Sequence, residues 1–196
     1  GEGVVDALLA LEIEGRRLED AEIATQLATL LVGGSETVPK VFAGGVRELA
    51  AAPDSIRALR AAPELVPGAF EEMVRHQGVL QSVGRTALVD VEVGGERIRR
   101  GQRLFLLLQS ANRDACEFED PDRFDIHRRP PRHVGFGFGP HHCIGIHLAR
   151  LEGRVLLEEL LARVPAWTVD ESAALRPPSE FQIGYTRLPI EISPTD

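Results

Sequence analysis

The sequence predicts a mainly α-helical protein with small β-sheets, and three observations carry that expectation. Residues 20 to about 52 have helical length, with Glu19, Asp20 and Glu22 at the start and Ile23, Leu27, Leu30 and Leu31 at helical spacing. Residues 144 to 163 repeat apolar positions with the same period, placing Leu148, Leu151, Val155, Leu156 and Leu160 on one stripe. Val89, Val91 and Val93 alternate with polar residues, Gly94-Gly95 supplies a turn and Ile98 resumes the alternation, which is the pattern of a hairpin.

Taken in order, the 20–52 segment reads as a long helix with a buried face. Its middle carries Gly33-Gly34-Ser35-Glu36-Thr37. Two glycines there cost roughly 1 kcal/mol each relative to alanine. Close helix packing or a cleared space above the helix could offset that cost. Thr37 can bond back to the Gly33 carbonyl, while Pro39 removes the bond to the Ser35 carbonyl and should deepen a kink. A shorter helix follows Pro53. Another runs from Pro67, a good first helical position, to Arg75 or His76. Residues 104–108 form an apolar run that reads as a strand. Residues 112–140 are rich in Pro, Arg, Asp and Gly without a sustained period, a long irregular stretch of the kind that usually has a functional reason or is disordered. Residues 181–192 contain strand-like patches broken by Gly184 and Pro189.

At 196 residues the chain can build one domain with its own core. With 43% hydrophobic and 27% charged residues, it has the composition of a soluble globular protein. No run approaches the roughly 18 apolar residues of a membrane span. A net charge of -8 argues against a nucleic-acid partner, since phosphate neutralisation supplies most non-specific affinity. Locally the charge reverses: Arg123, Arg128, Arg129 and Arg132, with His127 and His133, face only Asp125, giving either a solvated basic loop or a docking surface. Two cysteines, Cys116 and Cys143, are too few for a disulfide framework and fit a reducing, cytoplasmic compartment. The chain opens without a signal-peptide pattern and starts abruptly, as if cut from something longer.

The segment Phe136-Gly137-Phe138-Gly139-Pro140-His141-His142-Cys143-Ile144-Gly145 sets a cysteine at the mouth of the predicted 144–163 helix. Free N–H groups and the positive end of a helix dipole favour a thiolate there, and a thiolate binds soft or borderline metals. Glycines at 137, 139 and 145 let backbone or a flat ligand approach the sulfur closely. Two other readings stand beside this one. Cys143 could be a buried small hydrophobe, or a zinc ligand with His147, four residues on, and His133, His141 and His142 nearby. Elsewhere, Glu72 and Arg75 are three apart on one helix face, where an exposed pair is worth only about 0.2–0.5 kcal/mol. Arg85, in Val83-Gly84-Arg85-Thr86-Ala87, reads by itself as an ordinary exposed arginine.

The cysteine loop resembles the haem-binding signature of the cytochrome P-450 superfamily, soluble bacterial type: Phe136, Gly139, His141, Cys143 and Gly145 stand at its offsets, and Leu148, Ala149 and Arg150 continue it. The resemblance implies haem b (iron protoporphyrin IX) with Cys143 as the axial thiolate and His141 and Arg85 holding propionates. It also implies that Gly33 and Gly34 open the oxygen-binding segment and that Glu36 and Thr37 deliver protons to dioxygen. Val38 stands where the family often has a second threonine, and Pro39 is a further departure. Glu72 and Arg75 resemble the family's Glu-x-x-Arg, which joins an arginine of the Pro-x-Arg-Phe segment, here Arg123, in a buried network whose breakage costs on the order of 3–5 kcal/mol. By the same analogy Val79, Leu80, Gln81 and Ser82, with Phe181 and Gln182, line the substrate pocket, although Val79 stands where proline is frequent.

The implied architecture is the C-terminal half of the cytochrome P-450 fold, residues 1–196 forming part of a single haem domain whose N-terminal half is absent. The implied activity is insertion of one oxygen atom from dioxygen into a hydrophobic small molecule. Because the chain has no flavin or nicotinamide fingerprint, electrons come from a separate ferredoxin- or flavodoxin-type donor, for which the basic run from Arg123 to Arg132 is a candidate dock. The alternatives are a truncated haem-binding module without turnover, and a zinc-binding or purely structural helical domain.

Overall fold

A computed structural model of the chain describes residues 3–128 and 132–193. The chain divides into two compact units, residues 1–39 and 40–196. Helix α2, Asp20–Ala50, continues through the boundary.

The first unit contains α1 (Val4–Ala10), a short hairpin of β1 (Glu12–Ile13) and β2 (Arg16–Arg17), and the N-terminal part of α2. The hairpin turns through Glu14 and Gly15, both at positive φ. Arg16 then grips Glu22 with two bonds of 2.7 Å, and Glu22 caps the helix by accepting from the Glu19 N–H at 2.9 Å. Arg16, acting first through its hydrogen bond, holds the Glu22 carboxyl near 2. The sequence pattern identified the helix but not this hairpin. It also overestimated the buried face: Ile23 is buried, whereas Leu30 and Leu31 are exposed. Periodicity assigns residues to a common face but does not supply the surface that covers it.

In the second unit, the C-terminal part of α2 is followed by α3 (Pro53–Ala61) and α4 (Val66–Gln77). Proline stands in the first turn of both helices, where no N–H is needed. Gly78 ends α4 at φ 47°, its N–H returning to the Val74 carbonyl at 3.0 Å. The strands β3 (Ser82–Thr86) and β6 (Arg103–Leu107) pair antiparallel, and β4 (Val91–Val93) pairs with β5 (Glu96–Ile98) around Gly94-Gly95. A short α5 (Leu108–Ala111) precedes the irregular stretch, and α6 (Ile146–Arg163) follows it. The unit closes with β7 (Ala166–Val169) paired to β8 (Ile190–Ser193). Strand β3 escaped the sequence reading because Val83-Gly84-Arg85 shows little alternation.

The core gathers Val46, Leu49, Leu59, Phe70, Met73, Leu157 and Trp167. Glycines allow helices to approach within it. A Cβ on Gly45 would lie 2.3 Å from Met73 Sδ, and one on Gly153 would lie 2.1 Å from the Phe70 ring. Gly153, Leu157 and Leu161 therefore form the buried face of α6, together with Ile146. Of the stripe read from the sequence, Leu160 packs partly buried against the core, whereas Leu148, Leu151, Val155 and Leu156 are exposed, Leu148 by 57%. The glycine face turns inward because only a residue without a Cβ fits against Phe70, a constraint that hydrophobicity does not register.

Candidate cofactor site

Cys143 is a half-buried free thiol three residues before α6. Its backbone N–H donates to the Phe136 carbonyl at 2.9 Å, closing the loop on itself. Within the loop, Gly137 and Gly139 have φ of 73° and 72°, and Gly139–His141 form a turn of 3-10 helix. The left-handed backbone explains both glycines. Gly145 has an ordinary φ, but a Cβ there would lie 4.0 Å from Cys143 Sγ. Phe138 and Ile144 are each 86% exposed, leaving apolar surface on the cysteine loop that a flat ligand would cover. The residues present therefore fit a thiolate-ligated planar group. Among the described residues, no three His, Cys, Asp or Glu side chains are placed to share a metal ion, so the geometry gives the zinc alternative no support.

Beneath the loop, α4 presents two adjacent glutamates. Glu72 and Arg75 are fully buried and bonded side by side, Nε to Oε2 at 2.7 Å and Nη2 to Oε1 at 2.8 Å. Arg75 also donates through Nη1 to the carbonyls of Asn112 and Pro121, both at 2.8 Å, and through Nη2 to that of Arg123 at 3.2 Å. Every guanidinium hydrogen thus has a partner. The third charged side chain in the network corrects the sequence expectation. Arg123 contributes only its carbonyl; its guanidinium is 65% exposed and pairs with Asp125 at 2.8 Å. Arg128 enters instead, 12% exposed, with Nε 3.2 Å from Glu72 Oε1. Its other donors satisfy the carbonyls of Glu119, Asp120 and Arg123. The chain turns back through this segment, so the arginine five residues later reaches the carboxylate.

The same geometry reshapes the proposed basic dock. Arg128 is committed to the interior and Arg129 lies outside the described residues. His133 is turned inward to Glu71. Of the run, Arg123, His127 and Arg132 remain exposed.

Glu71 accepts from His133 Nε2 at 2.9 Å and from Arg150 through Nε and Nη2 at 2.6 and 3.0 Å. The Gly135 N–H donates to His133 Nδ1, so Nε2 carries the proton given to Glu71. Burial pushes the Glu71 carboxyl up, but the bonds from His133 and Arg150 outweigh it and hold the group at about 2. A depressed acid stabilises the fold above its unfolded value and loses that contribution as pH falls through the folded one. Urea midpoints should therefore drop between about pH 4.5 and pH 2 in the protein. The fall should be smaller in Glu71→Gln.

The expected pocket segments meet although some 100 residues separate them. Gln81 N–H donates to the Phe181 carbonyl at 3.0 Å, Ile183 N–H to the Val79 carbonyl at 2.7 Å, and Leu80 bridges antiparallel to Gln182. Lys40 Nζ bonds Gln182 Oε1. Val79 is buried in the core, Ser82 begins β3 and Phe181 is exposed. Arg85, on β3 opposite Leu104, is exposed and donates to the Gly84 carbonyl. His141 is exposed. In the first unit, Thr37 Oγ1 donates to the Gly33 carbonyl at 2.6 Å, the back-bond expected from the sequence. A Cβ built on Gly33 or Gly34 would meet no described atom within 4 Å, so close packing is not what these two glycines serve within the described residues. Glu36 lies one turn beyond them on α2. A surface groove of about 560 Å3 between α4 and α6 is lined by Pro67, Phe70, Glu71, Arg150 and Leu151 and by none of the expected pocket residues.

The family model for cytochrome P450 matches residues 3–193. This chain belongs to the cytochrome P450 family. It is 38% identical to a steroid C26-monooxygenase of Mycolicibacterium smegmatis over 189 residues, which are 96% of this chain and 47% of that protein. It is 39% identical to a vitamin D3 dihydroxylase of Streptomyces griseolus, across 97% of this chain and 48% of that one. A Bacillus megaterium cytochrome P450 solved with corticosterone superimposes with a TM-score of 0.88 at 32% identity, covering 97% of this chain and 51% of the other. The chain spans about half the length of the relatives it matches. Members of the cytochrome P450 family bind haem b, and the mainly helical fold with small sheets is theirs. No described helix of this cytochrome P450 chain is long and apolar enough to cross a membrane.

Four features of this cytochrome P450 chain went unread in the sequence: Arg128, the Glu71 cluster, Asn112 and Gly135. Asn112 is fully buried and its Oδ1 accepts from the Val134 N–H at 2.7 Å. A Cβ on Gly135 would lie 2.6 Å from Val74 Cγ1, so the loop presses on α4 there. Arg150 stood within the recognised motif, and its spacing from Cys143 was the one signal available.

Proposed function

We propose that the protein carrying this chain is a haem-dependent monooxygenase that inserts one oxygen atom from dioxygen into a hydrophobic small molecule. The carrying observation is Cys143, a free thiol tied at its N–H to Phe136 and flanked by exposed Phe138 and Ile144, in a chain of this family. Haem supplies oxygen activation when bound, promoted by a cysteine thiolate ligand.

The chain's own residues take the remaining tasks. Cys143 ligates. The left-handed turns at Gly137 and Gly139 keep side chains away from the flat face beside it. Arg85 supplies positive charge, and Arg85 and His141, both exposed, supply hydrogen-bond donors for carboxylates. Thr37 gives its hydroxyl hydrogen to the Gly33 carbonyl, so its oxygen would accept from a water and hold it in place, and Glu36 would pass protons through that water. Residues 79–82, with 181 and 182 held against them by the pairing of 79–81 with 181–183, give the substrate a wall. Relatives named for a steroid and vitamin D3 agree with a large apolar substrate. An acidic ferredoxin- or flavodoxin-type donor supplies the electrons, and the cytoplasm is the compartment that keeps Cys143 reduced.

The test is the absorption spectrum of the reduced carbon monoxide adduct of the haem-loaded protein. A strongly red-shifted main band supports thiolate ligation, and a band at the unshifted position overturns it. Turnover of steroid-like substrates with a surrogate electron donor then tests the reaction class.

A further inference from the structure

The two adjacent glutamates of α4 divide their work. Glu72 holds the segment 119–128, through Arg128 and the Asp125 N–H at 3.0 Å. Glu71 holds the next described segment, through His133, and α6, through Arg150. Both of its partners also pack on one aromatic ring. The Arg150 guanidinium sits 5.4 Å from the Phe136 centroid, and the His133 ring lies 5.7 Å away, tilted by 48°. The carbonyl of that same Phe136 receives the Cys143 N–H. A continuous chain of contacts thus runs from a half-buried carboxylate, through two cationic or polar side chains and one ring, to the backbone of the ligating residue.

We infer that Glu71, His133 and Arg150 are positioning residues that clamp Phe136 and so fix the backbone of Cys143 for axial ligation, a role separate from the buried Glu72-Arg75-Arg128 network. The inference rests on the haem-thiolate reading for its purpose, but not for its geometry. A bidentate guanidinium-carboxylate pair is directional as well as strong. It can therefore hold the Phe136 ring in one place where apolar packing alone would let it slide. Arg150 lies seven residues beyond Cys143 and about one turn into α6, so the pair also sets the start of α6 against α4.

The experiment uses the full-length protein with Glu71→Gln, and Arg150→Leu as an independent second variant. Hydrogen exchange of the Cys143 amide in the haem-free protein reads the clamp directly. Loss of one charge-assisted bond should speed that exchange roughly tenfold, whether or not the amides around Leu157, which open only with the whole fold, rise with it. In the haem-loaded protein, the ratio of red-shifted to unshifted carbon monoxide adduct should fall by a similar factor, and Arg150→Lys should recover part of it. Unchanged exchange at Cys143, with or without a rise at Leu157, overturns the inference by making the cluster at most a general stabiliser. A local rise in exchange in a protein whose unmutated form shows no red-shifted adduct upholds the clamp and overturns the haem-thiolate reading.

Discussion

Cys143→Ala is expected to abolish the red-shifted carbon monoxide band and substrate oxidation while leaving the helices in place. The thiol is half-buried and its side chain is absent from the core cluster, so truncation removes the proposed ligand rather than packing. The loop itself is held by backbone: the Cys143 N–H to Phe136, the Gly137 N–H to Val134 at 2.9 Å and the His142 N–H to Gly139 at 2.9 Å. Alanine keeps all three. Cys116 offers the control, since it is exposed and far from the loop in sequence, and Cys116→Ala should leave the band where it was. Circular dichroism checks the fold of both variants. A red-shifted band that survives in Cys143→Ala and disappears in Cys116→Ala would reverse the ligand assignment.

The second large effect concerns stability. Arg75→Ala leaves the fully buried Glu72 carboxylate with only Arg128 Nε and the Asp125 N–H as partners, and removes the donor to the carbonyls of Asn112 and Pro121. Removing one partner of a buried pair costs about 3–5 kcal/mol, against a typical total of about 5–15 kcal/mol for a domain. The variant should therefore accumulate as partly unfolded protein with a sharply lowered urea midpoint. The two candidate third members separate cleanly. Arg128→Ala removes a mostly buried bond to Glu72 and three to backbone carbonyls, and should cost about 1.5–3 kcal/mol. Arg123→Ala removes an exposed pair with Asp125, worth about 0–1 kcal/mol. The expected order of loss is Arg75, then Arg128, then Arg123. A lower urea midpoint for Arg123→Ala than for Arg128→Ala would refute this arrangement.

The Arg128 result also bears on electron transfer. Charge reversal at Arg128 would strike the interior network first, so a slowed reaction in that variant reports folding as much as docking. Exposed Arg132 is the cleaner probe of an acidic partner, and its effect should shrink as salt rises.

What the sequence determined by itself was local. Proline at the first turns of α3 and α4, glycine at the left-handed positions 78, 137 and 139, and the Thr37 back-bond each follow from constraints within a few residues. So does the placement of Cys143 at the entrance to α6. Tertiary structure alone decided which arginine reaches Glu72, which face of α6 is buried, that Glu71 gathers His133 and Arg150, and that residues 79–81 pair with 181–183. The division has a physical cause. Turn and cap preferences are set by backbone sterics and nearest hydrogen-bond partners, which the chain carries with it everywhere. A charge or an apolar stripe acquires its partner only when a distant segment arrives: Arg123 and Arg128 are equivalent on paper until the loop folds back and brings one of them to a buried carboxylate.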